Sequence, residues 1–416
     1  MIYFDNAATS FPKPSVVSDA MVKFLAEDAA NPGRAGHRMA VKAEQMLDDV
    51  RLKLTRLVKA GDPHRMVFAM NGTDALNMAI KGVISELEDG TPGSGQRPHV
   101  ITTVLEHNSV SRPLQAMAAR GQIDLTRVRC DAAGFVNPDD VRKAITPATQ
   151  LIAMTHASNV LGTIQDAAAI GAIAREHDLL FLLDAAQTIG VLPIDVEAMQ
   201  VDLLAFPGHK SLLGPTGTGA LYVGPRCPEP VEAVAATHEA GHLDQQIARK
   251  GRLRRLNAWR EGGTGGDSAT PTQPALYPYY LEGGTPNTVG IAGLGASLDQ
   301  LTPEHMAKTL AHEQALCARL RQRFADDARF TLYGPTDASQ CVGTLSLNLE
   351  GFEPGDLGSI LDDSFDIAVR PGLHCAPYAH RQLDTFPSGT LRISPGAFNT
   401  DEQLDQLIDA LDQIVG

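Results

Sequence analysis

The chain has 416 residues, 43% hydrophobic and 20% charged, an ordinary composition for a soluble globular protein long enough to form two lobes. Its formal net charge of -14 argues against a broad nucleic-acid or anionic-membrane surface, since phosphates would be repelled. The five cysteines are scattered and form no C-x-x-C pair, so a disulfide framework is not expected and a reducing cytoplasm is. Neither a signal peptide nor an apolar run of membrane-spanning length is visible.

Residues 15–59 carry a helical pattern broken at Asn31-Pro32-Gly33-Arg34-Ala35-Gly36, and its second half is amphipathic. Met66-Val67-Phe68-Ala69-Met70 reads as a short buried strand that meets Asn71-Gly72-Thr73-Asp74 and a helix over 75–84. Free N–H groups and a hydroxyl at a helix start suit an anion, which makes Gly72 and Thr73 a candidate phosphate site, although the same residues are ordinary caps. Strand and helix then alternate through 99–103, 151–154, a helix over 167–177, and strands ending at Asp184 and near Lys210. Such alternation implies a mainly parallel sheet covered on both faces, whose ligands gather beyond the carboxyl ends of the strands. Thr73, His107, Asn159, Asp184 and Lys210 all fall just past such ends.

After Val223 the alternation breaks. Residues 225–259 are helical in composition and 262–274 loop-like, and helices are expected over 289–301 and 303–324. A strand over 343–349 and helices over 355–362 and 401–415 suggest a smaller C-terminal α/β lobe. The expected division is a large domain over 14–290, with an insertion at 225–261, and a small domain formed by 1–13 and 291–416.

The stretch Ala205-Phe206-Pro207-Gly208-His209-Lys210-Ser211 ends an apolar strand in a tight turn that displays one lysine. A lysine at the tip of a hairpin is commonly a surface residue. Here Asp184-Ala185-Ala186-Gln187 ends the preceding buried strand, and an acid beside such a lysine is what pyridoxal 5'-phosphate requires: the acid protonates the pyridine nitrogen and the amine, once dehydrated and neutral, condenses with the aldehyde.

Asp5-Asn6-Ala7-Ala8-Thr9, Glu106-His107-Asn108-Ser109, His156-Ala157-Ser158-Asn159, Asp184-Ala185-Ala186-Gln187, Gly208-His209-Lys210, Gly284-Thr285-Pro286-Asn287 and Leu391-Arg392-Ile393-Ser394 occur in the order seen in class V aminotransferase-fold enzymes. The chain resembles the cysteine desulfurases among them, closest to the group II desulfurases and selenocysteine lyases. The resemblance implies the pyridoxal-phosphate-dependent transferase fold, aspartate aminotransferase-like, with a mainly parallel large domain and a smaller C-terminal α/β domain. It implies that Lys210 carries the cofactor and moves the substrate's α-proton, that Asp184 binds the pyridine N–H, Gln187 the ring hydroxyl, and that His107 stacks on the ring. Gly72, Thr73 and His209 would hold the phosphate. Thr285 would reach the cofactor of a second subunit, making the protein a homodimer. Asn159 and Arg392 would clamp the substrate carboxylate, with Arg370 beside them. Pro207 departs from the family, in which a hydroxyl donor often stands two residues before the histidine; the lost bond is worth about 1.5–3 kcal/mol.

Arg370-Pro371-Gly372-Leu373-His374-Cys375-Ala376-Pro377 resembles the short catalytic loop of group II desulfurases, with Cys375 the nucleophile that takes the substrate sulfur. Arg370 and His374 are expected to favour its thiolate. Cys130, Cys227, Cys317 and Cys341 are expected to be buried and inert. His238-Glu239-Ala240-Gly241-His242 matches the H-E-x-x-H zinc motif, but a glycine weakens the helix and no third ligand stands out, so no metal site is expected. The basic run over 249–255 suits an acidic partner such as a sulfur-acceptor protein or an anionic substrate group, although such a run is more often a solvated helix face or pairs with acids of its own subunit. The expected reaction is therefore cysteine to alanine with a persulfide on Cys375. Rivals on the same scaffold are selenocysteine lysis, C–S β-elimination and transamination; a zinc hydrolase is the rival from another class.

Overall fold

The computed structural model describes residues 1–33, 36–89, 97–229, 256–264 and 271–416. The H-E-x-x-H match and the basic run both lie outside the described residues. In chain order the elements are β1 (Ile2–Tyr3), α1 (Ser15–Glu27), α2 (Arg38–Leu57), β2 (Met66–Ala69), α3 (Gly72–Asp89), β3 (His99–Thr103), α4 (Asn108–Ala119), β4 (Asp124–Val128), α5 (Pro138–Lys143), β5 (Thr149–Thr155), α6 (Ala167–Glu176), β6 (Leu180–Asp184), β7 (Leu203–Pro207) and β8 (Gly219–Val223). There follow α7 (Thr288–Leu298), α8 (Pro303–Phe324), β9 (Phe330–Tyr333), β10 (Leu345–Leu349), α9 (Pro354–Phe365), β11 (Ile367–Ala368), β12 (Arg370–Gly372), α10 (Pro377–Gln382), β13 (Thr390–Ile393) and α11 (Asp401–Val415).

The central sheet has seven strands in the order β2-β8-β7-β6-β5-β3-β4. Only β8 runs against its neighbours; the other pairings are parallel, as the alternation of strands and helices predicts. Its strands are apolar on both sides because both sides are covered. In β6, Phe181 and Leu183 enter one core while Leu180 and Leu182 enter the other, and in β7 Leu204 and Phe206 oppose Leu203 and Ala205 in the same way. The period of two in a strand sends successive side chains to opposite faces, and here each face meets helices.

A four-stranded sheet, β12-β13-β10-β9, forms a second layer with its own core. Helix α11 starts at a capping box between Thr400 and Gln403, and it buries Leu404, Leu407, Ala410 and Leu411, which recur at helical spacing on one face. β1 pairs in parallel with β11, and Asp5 bridges to Ser394 just after β13. The first residues of the chain are therefore pinned beside the C-terminal sheet before running on to the central one. No helix among the described residues is long and apolar enough to cross a membrane.

Candidate active site

A cavity of about 590 Å³ opens at the carboxyl ends of β2, β3, β5, β6 and β7, between the two sheets. Gly72, Thr73, His107, Asn159, Asp184, Gln187, His209, Lys210, Arg370 and Arg392 all line it. Thr285 does not line this cavity; it stands exposed on the approach to α7. Cys375 is also absent from the lining but adjoins it through Arg370, whose Nη2 lies 3.7 Å from Cys375 Sγ.

Lys210 follows β7 and Asp184 ends the neighbouring strand β6, so sheet register alone brings amine and acid together. Burial brings the Lys210 pKa down to about 8, opposed by Asp184 and aided by Arg392 and Arg370. A substantial fraction of the amine is thus neutral at physiological pH. Asp184 Oδ1 accepts the N–H of Ala186 at 2.9 Å, which leaves Oδ2 for another donor. Burial raises the Asp184 pKa, and the Ala186 N–H and Lys210 oppose the rise. Glu106 lies wholly buried near it, with Thr103 Oγ1 donating to Oε1 at 2.6 Å. Burial, reinforced by Asp184, raises the Glu106 pKa to about 8 against the Thr103 bond. Glu106 is consequently protonated at neutral pH.

His107 is the N-cap of α4, its Nδ1 accepting the Ser109 N–H at 3.1 Å. A backbone N–H can only donate, so Nδ1 bears the lone pair and the ring proton sits on Nε2. Burial, followed by Lys210 and Arg370, depresses the His107 pKa to about 4, so the ring is neutral. Ser109 Oγ also lies 2.8 Å from His107 Nδ1 and 2.7 Å from Thr73 Oγ1, joining the ring to the start of α3. There the backbone packs against Pro207: a Cβ on Gly72 would come within 3.2 Å of the proline ring. Gln187 Nε2 donates to Ala7 O at 3.1 Å, which ties the N-terminal segment over the site.

Arg392 is completely buried, its Nη2 2.6 Å from Asp5 Oδ1 and its Nη1 2.9 Å from Asn159 O. The predicted bidentate clamp is thus already engaged by the protein, and only Nε lacks a partner. Asn159 is likewise committed, Nδ2 donating to His374 O at 2.7 Å. Asp5 supplies the compensation that makes the buried guanidinium affordable. Asp5→Ala is expected to lower the unfolding free energy by about 3 kcal/mol, at the low end for stranding one member of a buried pair because Asp5 is partly exposed. Urea unfolding of the two proteins measures this.

The cysteine loop is held by its backbone. Asn108 N donates to Cys375 O at 2.6 Å, and both His374 (φ 47°) and Cys375 (φ 58°) occupy the left-handed region, which costs about 1 kcal/mol or more per non-glycine residue. Gly389 packs so closely on Gly372 that a Cβ would sit 2.1 Å from Gly372 O. One expectation is corrected here. His374 is not a cation beside the thiol: it is buried, Nε2 faces Thr390 O at 3.1 Å, and burial, with Arg392 and His380, pushes its pKa down to about 2. Arg370 alone of the two remains beside the sulfur. The other cysteines are buried, and burial raises the thiol pKa of Cys130 and Cys341 to about 11 and those of Cys227 and Cys317 higher still.

A sequence model of the class-V aminotransferases matches residues 2–265 and 246–407. The chain belongs to the class-V aminotransferase family. Its relatives within that family include a probable cysteine desulfurase of Methanothermobacter thermautotrophicus, 32% identical over 416 residues, covering 100% of this chain and 95% of the relative. A cysteine desulfurase of Salmonella typhimurium is 30% identical, covering 100% of this chain and 93% of the relative. Among solved structures, the apo cysteine desulfurase of Thermococcus onnurineus NA1 superposes with a TM-score of 0.85 at 28% identity, covering 100% of this chain and 94% of that one. The Escherichia coli cysteine desulfurase CsdA, solved with S-sulfonic acid, gives 0.81 at 25% identity, covering 99% and 94%.

Sequence reasoning assigned no role to Asp5, Glu106 or Ser109, although each stands inside a motif it used. Their roles come from pairings between separate elements, such as Asp5 with Arg392, Glu106 with the Thr155 N–H and Ser109 with Thr73.

Proposed function

We propose that this protein is a cysteine desulfurase, converting L-cysteine to L-alanine with transfer of the sulfur to Cys375. The observation that carries the reading is Cys375 Sγ beside Arg370, at the edge of the cavity that holds Lys210 and Asp184. The residues suit pyridoxal 5'-phosphate: Asp184 keeps an oxygen that would accept the pyridine N–H, the start of α3 with Thr73 and His209 would hold the phosphate, and His107 would stack on the ring. When bound, the cofactor supplies an aldehyde for the amine and a ring that withdraws electrons from the substrate's α-carbon.

The chain's own residues do the rest. Lys210, with its lowered pKa, holds the cofactor and then accepts and returns the proton at the α-carbon. Arg370 orients the substrate carboxylate, joined by Arg392 once the substrate displaces its bond to Asp5, while Asn159 braces the cysteine loop through the His374 carbonyl and Arg370 also touches the Cys375 sulfur. The Cys375 thiolate attacks the substrate sulfur. The S–S bond forms as the C–S bond breaks, its electron pair stays on carbon, and a proton completes alanine. A persulfide remains on Cys375 for a thiol or an acceptor protein. His107, neutral with its proton on Nε2, would donate that proton within the cavity. Thr285, exposed and away from its own cavity, serves the cofactor of a second subunit in a homodimer.

Incubation of the protein with L-cysteine tests this directly. Alanine release, a cofactor absorbance band, and the mass of one added sulfur on the Cys375 peptide are expected. Release of pyruvate and ammonia instead would make the reaction a β-elimination.

A further inference from the structure

The phosphate end of the cavity lacks charge. Asn71, Gly72, Thr73, Ser109, His209 and Thr216 line it, and none of them is a cation, since burial, with Lys210 and Lys13, holds the His209 pKa near about 4. On the proposed reading the lining cations are already taken up, Lys210 by the aldehyde and Arg370 and Arg392 by the carboxylates of the substrate and Asp5. A phosphate dianion would then be bound by neutral donors alone.

Directly behind His209 lies Lys13. Its Nζ donates to His209 O at 2.6 Å and to Ser10 Oγ at 2.7 Å. Among the described residues it makes no ion pair, and the titratable group that it acts on is His209. Burial by itself brings the Lys13 pKa down to about 8, the mark of a half-buried ammonium with no counter-ion. Its field also reaches the His209 ring, whose Nδ1 lies 3.1 Å from Thr9 Oγ1 in the same N-terminal segment. A neutral side chain could supply the bond to the His209 carbonyl at lower desolvation cost, so the charge itself calls for a function.

We propose that Lys13 is the counter-charge of the cofactor phosphate, acting through space from behind His209 rather than by contact. This rests on the pyridoxal-phosphate reading of the site. The charge stands where an anion on the neutral cradle would find it, and it offsets the donor missing at Pro207.

The test compares pyridoxal 5'-phosphate with pyridoxal, which lacks the phosphate, in uptake by the cofactor-free wild-type, Lys13→Met and Lys13→Arg proteins, followed by absorbance. Lys13→Met is expected to weaken pyridoxal 5'-phosphate by roughly tenfold, the size of one charge acting across a protein interior, and to leave pyridoxal unchanged. Lys13→Arg is expected to retain wild-type affinity for both. Equal weakening of both compounds in Lys13→Met would reduce Lys13 to a brace for the Lys210 turn and overturn the inference, as would unchanged affinity for both. Wild-type protein that takes up neither compound would overturn the cofactor reading as well, so the two failures are distinct.

Discussion

Replacing Lys210 by alanine is expected to reduce L-cysteine turnover by at least about 10³-fold, within the range for losing a positioned proton-transfer group. Lys210→Arg is expected to be equally inactive, because a guanidinium retains charge but neither condenses with an aldehyde nor gives up its proton. The fold survives the change. Burial, with Arg392 and Arg370, disfavours the Lys210 charge more than Asp184 favours it, so the urea midpoint of Lys210→Ala should equal or exceed that of the wild type. The same electrostatics sets a pH dependence. Only the neutral amine condenses with an aldehyde, and the lysine pKa is about 8, so uptake of pyridoxal 5'-phosphate by the cofactor-free protein should accelerate as pH rises from 6 and level off above about 8. A rate that stays flat across this interval would remove the lysine from the step.

Much of this site is legible in one dimension because a parallel sheet turns order along the chain into proximity. Asp184 ends β6, Lys210 follows the adjacent β7 within one turn, and Thr155 ends β5 on the other side, so residues that close apolar runs meet at one edge. What the sequence hides is pairing at long range. Nothing in Asp5-Asn6-Ala7-Ala8-Thr9 says that its aspartate meets Arg392, because that contact depends on β1 lying against β11 and on the bridge to Ser394. Lys13, between two prolines in a loop, looks like a solvated cation until the turn that it touches is built. His374 shows the converse error: adjacency to Cys375 suggested a cation, whereas the left-handed turn at both residues sends the ring inward to Thr390 and strips it of charge.

Cys375→Ala is expected to lower alanine formation from L-cysteine by at least about 10²-fold while leaving cofactor absorbance intact. The substitution is well isolated. The bonds that hold the loop run to the carbonyls of His374 and Cys375, from Asn159 Nδ2 and Asn108 N, and alanine keeps both. Alanine at φ 58° is no more strained than cysteine there, so the left-handed turn persists. What disappears is the sulfur beside Arg370 and nothing else. A matching Arg370→Gln variant, which keeps Cys375 but removes the guanidinium that contacts its sulfur, should lower alanine formation while leaving cofactor absorbance intact. If Cys375→Ala still released the substrate's sulfur at the wild-type rate, the sulfur would be leaving without a protein nucleophile. Lys210 and Asp184 would keep their roles, and the enzyme would be a lyase whose cysteine is incidental.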